Sequence, residues 1–593
     1  MRIALVYPPR AYFYMPYLAP WVLQAHLESR GHLVDVVDAN IGFYVDTWTS
    51  GFGRDAAREL NARGARSAAL RAELLSEHGA AAYARLRDPE SFTDPAALHE
   101  AAAVLDQADQ VVDALAAVRG APSRTTPATL GQWPDLLRQT RETPAAHWLE
   151  ALVGSGRLDG YDLVAMTIAY IGQLVPALTL AAAVKARRPG TPIVVGGGAV
   201  THFLDDIARD PSFFTAVDHV VPYEGEAQFA ALVEALEAGT EPPAENIVSC
   251  PGDRPVFRRL LSAVPHVEVA PTFRDLDHRY PTPDPVYPLL TSKGCYWGKC
   301  TFCTHHEGYG LGYKRFADRT VDAAIENIRA REGRWFYFVD EALPPRKLHG
   351  LVEQFGRHQA EGSLHWMAEA RLEKALVTEE AVADLTRSGC RLLVNGIESG
   401  SERSLASMRK GIDLGLVSAH ARLCAAAGVR TGWMFFVGQP GETEAESAET
   451  FEFIRANADA VDFASVGYFK LQPGSPIWNS PGEFGVSDIR GDAAYPRTLT
   501  YSHDGITVHP DALRERLRAL HGRYPDLGVV FAAAVDRALM MFVEPGVDVR
   551  SAARSFLAGD VGITFTSAVE HREVRYVPAL RRFELRPLEA AGV

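Results

Sequence analysis

Apolar and polar positions follow the same rhythm at both ends of residues 1–243. The chain begins with an apolar strand, IALVYP, which is followed by an amphipathic helix and a second apolar strand, LVDVVDA. The same alternation returns in YDLVAMTIA, TPIVVGGG and DHVVPYEGEAQF, with a helical segment between the first two. Strands that alternate with helices form a parallel sheet covered on both faces. We therefore predict a doubly wound, Rossmann-like α/β domain over residues 1–243.

A stretch of helical periodicity interrupts this domain from about residue 49 to residue 154. AARELNARGARSAALRAELL and AALHEAAAVLDQADQVVDALAAV carry Ala, Leu, Arg and Glu at helical spacing. Pro-rich breaks such as APSRTTPATLGQWP separate the helical segments. This pattern predicts a helical insertion between strands of the sheet.

Strands and helices alternate again from residue 286 to about residue 478. The strand-like segments are VYPLL, WFYFVD, LHWMAEA, RLLVNGIES, RTGWMFFVG and DFASVGYFKL. Helical stretches such as AAIENIRAR and EEAVADLTRSG separate them. Six consecutive strand–helix repeats predict a partial (β/α)6 barrel.

Two further stretches lack this alternation. Residues 244–285 are Pro-rich and poorly periodic, which predicts a linker that lies over the surface. In residues 479–593, ALRERLRALHGRYP and VVFAAAVDRALMMFV have helical spacing and EVRYVPALRRFELR is strand-like. We predict a mixed, mainly helical C-terminal region.

The composition restricts the classes of function. The 593 residues are 47% hydrophobic and 23% charged, which is typical of a soluble protein with several cores. The formal net charge of −14 argues against a broad basic surface, so nucleic acid is not an expected partner. No apolar run has the length of a membrane span, and MRIALVYPP lacks the pattern of a secretion signal. We expect a cytoplasmic protein without a membrane partner.

Three cysteines form the clearest chemical motif. Cys295, Cys300 and Cys303 follow the strand VYPLL in a C-x4-C-x2-C loop. Three thiolates at one cluster leave one iron of a [4Fe–4S] group without a protein ligand, and an open iron binds a substrate or cofactor. Zinc is the competing interpretation, with His305 or His306 as a fourth ligand. The motif alone leaves both interpretations open.

The cysteine content indicates a reducing compartment. The chain has six cysteines, which do not make a disulfide framework in a protein of this length. Outside the motif, we expect the remaining three to be ordinary small apolar or loop residues: Cys250, Cys390 and Cys424.

Polar residues recur where the predicted barrel strands end. Because the chemistry of such barrels collects at the carboxyl ends of the strands, this repeated placement indicates a functional rim. The residues at these ends are Asp340 and Glu341, Glu369 and Arg371, Glu398 and Ser399, Gly438 to Pro440, and Gln472.

With these motifs in order, the barrel resembles that of a radical S-adenosylmethionine (SAM) enzyme. The resemblance depends on GCYWGKCTFC, VDEAL, RLEK, NGIESGSERSL, FVGQPGET and LQPGSPIW, each after a successive strand. The front domain, residues 1–243, resembles the cobalamin-binding domain that one large subgroup of these enzymes carries. This resemblance depends on LVYPP, PIVVGGG and VPYEGEAQF. Together the two resemblances cover most of residues 1–478.

The chain departs from the family pattern in two places. The usual spacing is C-x3-C-x2-C, and one extra residue separates Cys295 from Cys300 here, in a loop that contains Gly298. The cobalamin domain of methionine synthase and its relatives carries D-x-H-x-x-G, whose histidine binds cobalt, and this sequence lacks it. The resemblance is therefore to a cobalamin site without a histidine ligand, or to a related fold that has lost the cofactor.

The resemblance implies three cofactors: a [4Fe–4S] cluster held by the three cysteines, SAM and cobalamin. For SAM it implies a carboxylate for the ammonium, a cation or hydroxyl for the carboxylate, and apolar cover. The matching residues are Glu398, Arg371, Ser399, Tyr296 and Phe302. For Arg371 the alternative is a salt bridge with Glu369 or Glu373. The residues expected around the corrin are Thr167, Tyr170, Gly196, Gly197, Gly198, Glu224 and Gly225.

The resemblance implies a cobalamin-dependent methyltransferase that acts on an unactivated carbon of a natural product or a peptide. A flavodoxin- or ferredoxin-type protein would supply electrons. A rearrangement, cyclisation or ring contraction without methyl transfer is the alternative, and a zinc-stabilised scaffold is a more distant one. A methylthiotransferase is disfavoured, because that relative carries a second cysteine cluster upstream and no cysteine precedes Cys250 here.

Overall fold

A computed structural model describes residues 1–121, 133–305, 312–358, 364–491 and 499–585. Two six-stranded sheets organise the chain. The first has the strand order β2-β1-β3-β4-β5-β6, with β1 to β5 parallel and β6 antiparallel to β5. Its strands are β1 (Arg2–Tyr7), β2 (Leu33–Asp38), β3 (Leu163–Thr167), β4 (Ile193–Gly196), β5 (His219–Val221) and β6 (Val248–Ser249).

The predicted Rossmann-like fold is confirmed by this sheet. Strand β1 pairs with both β2 and β3, so the order reverses there and opens a crevice at the carboxyl ends of the strands, where ligands of such sheets bind. Every residue of β3 is buried, as expected for a strand covered on both faces.

The helices of this part of the chain include the predicted insertion. They are α1 (Leu18–Glu28), α2 (Ala39–Thr49), α3 (Phe52–Ala62), α4 (Arg66–Arg87), α5 (Pro95–Leu105), α6 (Gln107–Val118), α7 (Trp133–Thr140), α8 (Pro144–Gly154), α9 (Leu174–Arg187), α10 (Gly198–His202), α11 (Leu204–Ile207) and α12 (Glu226–Ala238). Residues 122–132 of the insertion lie outside the described ranges.

One helix that the sequence does not predict, α2, precedes the predicted insertion. Helix α2 starts directly after β2, because the Asp38 side chain accepts a hydrogen bond from the Ile41 backbone N–H and caps it. Nearly every residue of α2 is buried, including Phe43, Tyr44 and Trp48. A helix buried on all sides has no polar stripe, so its periodicity does not stand out in the sequence.

Parts of the predicted linker, residues 244–285, are buried or belong to a sheet and do not lie on the surface. Its residues Val248–Ser249 are the edge strand β6 of the first sheet. Phe273 is buried and lies between Trp21 of α1, at 5.5 Å between ring centroids, and Tyr287, at 5.1 Å. This segment therefore packs between helix α1 and the second sheet. The domain boundaries themselves stay a prediction.

The second sheet is entirely parallel and has the order β14-β13-β12-β11-β10-β7, with a short ribbon β8-β9 beside it. Strands in consecutive order form the open barrel that the sequence predicts. The strands are β7 (Val286–Leu289), β8 (Ser292–Lys293), β9 (Lys314–Arg315), β10 (Trp335–Phe338), β11 (His365–Ala370), β12 (Cys390–Glu398), β13 (Arg430–Val437) and β14 (Phe463–Tyr468). The helices are α13 (Asp318–Arg329), α14 (Pro345–His358), α15 (Glu379–Arg387), α16 (Glu402–Ser407), α17 (Leu414–Ala427), α18 (Glu444–Ala456) and α19 (Pro476–Asn479).

The C-terminal region is mixed, as predicted, and contains two three-stranded antiparallel sheets. Its elements are β15 (Val486–Arg490), β16 (Thr500–His503), β17 (Ile506–Val508), α20 (Pro510–Arg523), α21 (Gly528–Ala532), α22 (Arg537–Phe542), α23 (Val549–Ala558), β18 (Ile563–Ser567), β19 (Arg572–Val577) and β20 (Arg582–Leu585).

The predicted helix VVFAAAVDRALMMFV is two helices. Asp536 interrupts it with an extended backbone, and its side chain accepts a hydrogen bond from the Ala538 N–H to cap α22. Among the described residues, no helix combines the length and apolar character needed to cross a bilayer.

Candidate functional site

A cavity of about 1020 Å³ lies between the carboxyl ends of the two sheets. All seven front-domain residues singled out from the sequence line it: Thr167, Tyr170, Gly196, Gly197, Gly198, Glu224 and Gly225. The barrel side of the lining includes Lys293, Gly294, Thr304, His305, Glu341 and Gln472. One cavity therefore joins the glycine loop after β4 to the cysteine loop after β7.

The glycine loop is closely packed against its neighbours. A Cβ atom on Gly197 would lie 2.6 Å from the carbonyl oxygen of Ile168, and the φ of Gly197 is +105°. A Cβ atom on Gly196 would lie 2.8 Å from the Val221 carbonyl oxygen. Side chains are excluded at both positions for steric reasons, which leaves bare backbone at the edge of the cavity.

Three tyrosines form an aromatic wall where the strand order reverses. Tyr7 stacks on Tyr17 with 5.1 Å between ring centroids, and Tyr17 meets the edge of Tyr170 at 6.2 Å. Gln173 fixes the Tyr170 loop, because its side-chain oxygen accepts from the Tyr170 N–H and its amide donates to the Pro8 carbonyl oxygen at 2.7 Å. Tyr170 remains 49% exposed and offers a ring surface to the cavity.

The three motif cysteines are neighbours in space. Burial raises the pKa of the Cys303 thiol to about 12, and proximity to Cys300 and Cys295 contributes to this increase. Burial also raises the pKa of Cys300. Within the described part of the chain, no three His, Cys, Asp or Glu side chains converge on the position of a single metal ion. In an iron–sulfur cluster each thiolate binds a different iron, so the thiols need not converge.

Backbone hydrogen bonds hold the cysteine loop to the rest of the barrel. The Thr301 N–H donates to the Met408 carbonyl oxygen at 3.0 Å, and the Thr301 carbonyl accepts from the Ile477 N–H at 3.0 Å. The Cys303 N–H donates to the Cys300 carbonyl oxygen at 3.3 Å. The loop therefore has a defined conformation in the protein. His306, the second histidine considered as a zinc ligand, lies outside the described residues.

Asp340 supports the strand that leads into the cysteine loop. Its buried carboxylate accepts from the Thr291 N–H at 3.0 Å, from the Thr291 hydroxyl at 2.8 Å and from the Ser292 hydroxyl at 2.6 Å. Asp340 is thus a structural cap of the barrel. The adjacent Glu341 lines the cavity and forms an ion pair with His305, which raises the pKa of that histidine.

Glu398 lies beside the cysteines but is already paired. Lys410 donates to its carboxylate at 2.8 Å, and both side chains are largely buried. Burial lowers the pKa of Lys410, but Glu398 and Cys300 raise it more, so the ammonium stays charged. Glu398 has a φ of +76° at an irregularity in β12, a conformation that costs about 1 kcal/mol or more in a non-glycine residue. A carboxylate and an ammonium therefore lie next to Cys300.

Arg371 makes the salt bridge that the sequence left as an alternative, and its partner is Glu373. The guanidinium also donates to the carbonyl oxygens of Lys410, at 2.9 Å, and Gly411, at 2.6 Å. It lies over the Trp297 ring at 3.7 Å. Arg371 is buried, and its contacts connect the cysteine loop to the segment that carries Lys410.

The other expected SAM-site residues have protein partners. Ser399 is fully buried, and its hydroxyl bonds that of Thr450 at 3.3 Å. Tyr296 donates its hydroxyl to Glu373 at 3.0 Å, and burial raises its pKa. Phe302 packs against Phe436 at 4.9 Å. Tyr296 and Phe302 therefore tie the cysteine loop to residues outside it, while Ser399 stabilises the turn after β12.

Sequence reasoning missed Lys293, which links the cysteine loop to the start of helix α12 in the front domain. Its ammonium donates to Glu226 at 2.8 Å and to Glu224 at 3.1 Å. All three side chains are mostly buried. Lys293 lies two residues before Cys295, and that adjacency was the available signal, but its partners lie about 67 residues earlier in the chain.

Part of the chain matches the model of a known protein family. Residues 289–454 match the model of the Radical SAM superfamily. This segment contains the three motif cysteines and strands β10 to β13.

Two relatives carry related sequences. An uncharacterized methyltransferase of Pyrococcus horikoshii is 26% identical over 330 residues, which are 54% of this chain and 68% of the relative. A putative methylthiotransferase of Methanocaldococcus jannaschii is 25% identical over 284 residues, which are 46% of this chain and 59% of that relative. The second match thus spans less than two thirds of the relative.

Two solved structures have a similar fold over most of their length. One is the radical S-adenosylmethionine methyltransferase TsrM from Kitasatospora setae with tryptophan substrate and a SAM analog bound, with a TM-score of 0.54, 14% identity and coverage of 91% of this chain and 90% of TsrM. The other is the cobalamin-dependent S-adenosylmethionine radical enzyme OxsB with aqua-cobalamin and S-adenosylmethionine bound, with a TM-score of 0.54, 13% identity and coverage of 94% and 71%.

Proposed function

With residues 289–454 forming a Radical SAM domain, we propose that the protein is a cobalamin-dependent radical SAM methyltransferase that methylates an unactivated carbon of a small-molecule or peptide substrate. The observation that carries the proposal is the single cavity shared by the glycine loop and the cysteine loop. The fold similarity to TsrM and OxsB, whose structures hold SAM or its analog and, for OxsB, cobalamin, supports it.

The cysteine loop fits a [4Fe–4S] cluster held by Cys295, Cys300 and Cys303. The three thiols are neighbours in a half-buried loop whose backbone is hydrogen-bonded to the rest of the barrel. Burial raises the pKa of Cys300 and Cys303, so these two free thiols are protonated at neutral pH and would release protons on binding iron.

The amino acid end of SAM carries an ammonium and a carboxylate, and the side chains beside Cys300 complement both. Glu398 would take the ammonium and Lys410 the carboxylate. Arg371 and Ser399 would act indirectly, because both are committed to protein partners. Arg371 positions the backbone of Lys410, and Ser399 fixes the turn that follows Glu398.

The front half of the cavity fits a large flat cofactor. The whole cavity has a volume of about 1020 Å³, which reaches the upper end of the ~300–1,000 Å³ of ordinary small-molecule sites. Backbone at Gly196 to Gly198 and the rings of Tyr17 and Tyr170 line it. When bound, SAM with the cluster supplies one-electron cleavage of a carbon–sulfur bond, and methylcobalamin supplies a methyl group. The chain's own part is to bind the substrate, orient it and exclude water.

Methyl transfer is tested with SAM that carries a trideuterated methyl group. The anaerobically reconstituted protein is incubated with this SAM, cobalamin, a flavodoxin-type electron donor, and peptide and small-molecule fractions of the source cells. We expect one component to exchange a hydrogen for the labelled methyl group, as detected by mass spectrometry. A component that is converted without a change in mass, while 5′-deoxyadenosine is released, would show rearrangement and overturn the proposal of methyl transfer.

A further inference from the structure

The outer and inner faces of the barrel sheet are defined by its aromatic contacts. Phe338 of β10 and Trp366 of β11 pack on Phe355 of the outer helix α14, at 5.9 Å and 6.2 Å between ring centroids. Trp433 of β13 stacks on Phe453 of the outer helix α18 at 5.4 Å. Since side chains alternate across a strand, the neighbouring positions on these strands face the interior of the barrel.

Helix α22 of the C-terminal region lies against this inner face. Phe542, at its end, lies 4.1 Å from the ring of Trp335 at the beginning of β10. Asp536, just before its first residue, accepts a hydrogen bond from the Tyr12 hydroxyl at 2.6 Å. Tyr12 belongs to the loop that follows β1 at the cavity edge of the first sheet. The start of α22 is therefore the place where the front domain, the barrel and the C-terminal region meet.

The side chain of Arg537, the first residue of α22, contacts the inner face of the barrel sheet. By the alternation above, Tyr337, Glu369 and Met434 lie on the inner face, and Arg537 contacts residues from all three strands. It forms an ion pair with Glu369, to which Tyr337 also donates at 3.0 Å. Its Nη2 points at the Met434 sulfur at 2.9 Å. A thioether sulfur is a weak acceptor, so this guanidinium donor is poorly satisfied by the protein.

The guanidinium is accessible although protein surrounds it. The Arg537 side chain is 34% exposed and that of Glu369 is 28% exposed. Burial lowers the pKa of Arg537, and Glu369 and Tyr337 raise it above its ordinary value. Arg537 therefore combines a side chain that a ligand can reach with a positive charge that its neighbours stabilise.

The same wall is close to the large cavity. The Leu343 N–H donates to the Glu369 backbone carbonyl oxygen at 2.9 Å, and Glu341, two residues before Leu343, lines the large cavity. The Arg537–Glu369 pair thus lies on the barrel side of the site.

We propose that Arg537 binds a carboxylate of the substrate on the inner wall of the barrel, an inference that rests on the proposed function. A carboxylate accepts two parallel N–H bonds from a guanidinium and replaces the weak sulfur contact of Met434. Glu369 holds the guanidinium in place and competes with the ligand for it. The C-terminal region then contributes a specificity-determining residue, and substrates that lack a carboxylate are bound less well.

The test uses 4-fluorobenzoate as a simple carboxylate probe and follows its fluorine NMR line width with the full-length protein. We expect the probe to bind the wild-type chain and to bind Arg537→Gln at least fivefold more weakly. Glu369→Gln removes the competing carboxylate, so it should bind the probe at least threefold more tightly. Arg550→Gln is the matched control. The Arg550 guanidinium donates to the backbone carbonyl oxygens of Ala458 and Asp459, so its replacement should leave probe binding unchanged.

Three outcomes would overturn the proposal: no binding to either the wild-type chain or Glu369→Gln, equal binding to the wild-type chain and Arg537→Gln, or weaker binding to Glu369→Gln. If Arg537→Gln does not fold, as judged by circular dichroism, Arg537→Lys takes its place. It keeps the charge but loses the paired N–H geometry, and should still bind the probe more weakly than the wild-type chain. The assay needs neither SAM nor catalysis, so its failure is separate from a failure of the proposed function.

Discussion

Lys293 donates a hydrogen bond to Glu226 at 2.8 Å and thereby ties the strand before the cysteine loop to the first turn of α12 in the front domain. Glu224 takes a second bond from the same ammonium at 3.1 Å. The two halves of the cavity are thus joined by charges that are mostly buried.

Lys293→Met should lower the free energy of unfolding by about 2 kcal/mol or more, because it leaves two buried carboxylates with less compensation. Lys314, 3.8 Å from Glu224, limits the loss. Unfolding by denaturant measures the change in the free energy of unfolding. Arg518→Ala, which breaks an exposed pair with Glu515, is the control and should cost less than about 1 kcal/mol.

The loss of unfolding free energy in Lys293→Met should be the same at every pH between 6 and 9. Burial lowers the pKa of Lys293, but Glu226 and Glu224 raise it above its ordinary value. A raised folded-state pKa gives stability that is fully present below the unfolded pKa and is lost only as the pH rises through the folded value. A difference that disappears already at pH 8 would contradict this assignment of charge.

Glu398→Gln should weaken SAM binding by about tenfold or more, since a charged hydrogen bond to the ammonium contributes roughly 1.5–3 kcal/mol. Equilibrium dialysis with reconstituted protein measures the affinity, and iron content is determined on the same sample to separate loss of SAM from loss of the cluster. Glu402→Gln, an exposed position on α16, is the control. Unchanged affinity in Glu398→Gln would remove this residue from the site.

Gly197→Ala should weaken binding of cobalamin and destabilise the front domain by about 1–3 kcal/mol, because the backbone has a φ of +105° and a Cβ would clash with the Ile168 carbonyl. Fluorescence-monitored titration with cobalamin and thermal unfolding check both effects. Gly190→Ala serves as the control, because a Cβ there meets nothing within 4 Å. Cobalamin affinity equal to that of the wild-type chain would place the corrin elsewhere.

Glu446→Gln should lower the free energy of unfolding by roughly 1–3 kcal/mol at pH 7, because Glu446 bonds Arg403 and caps α18. Arg403 holds the pKa of Glu446 at about 2, below its ordinary 4.5. A lowered pKa gives stability that is present above pH 4.5 and is lost as the pH falls through 2, so the difference should shrink in that window. Urea unfolding at pH 7 and pH 3.5 measures it, with Glu452→Gln, from an exposed pair, as the control.

The alternation of strands and helices made both sheets predictable, because burial of parallel strands leaves apolar runs that the sequence displays directly. Helix α2 was not predicted, because it is largely buried and shows no polar stripe. The break at Asp536 was missed because its extended backbone depends on tertiary contacts, such as the Tyr12 hydrogen bond.

The site was predictable where the motif supplies the chemistry and less so where a partner comes from a distant part of the chain. The glycine loop and Tyr170 line the cavity as expected. Arg371 could equally pair with Glu369 or Glu373 from the sequence, and only the structure shows that Glu369 is taken by Arg537, 168 residues away. Such pairs have no local pattern.

The account's central claim is that one cavity holds a cluster on the cysteine loop and a corrin on the front domain. The most direct measurement is the content of iron, labile sulfide, zinc and corrinoid in the anaerobically purified chain, compared with a variant in which Cys295, Cys300 and Cys303 are all alanine. We expect about four iron and four sulfide per chain in the wild type, with corrinoid, and loss of iron and sulfide but not of corrinoid in the variant. About one zinc without labile sulfide in the wild type, or the same iron content in both chains, would contradict the account.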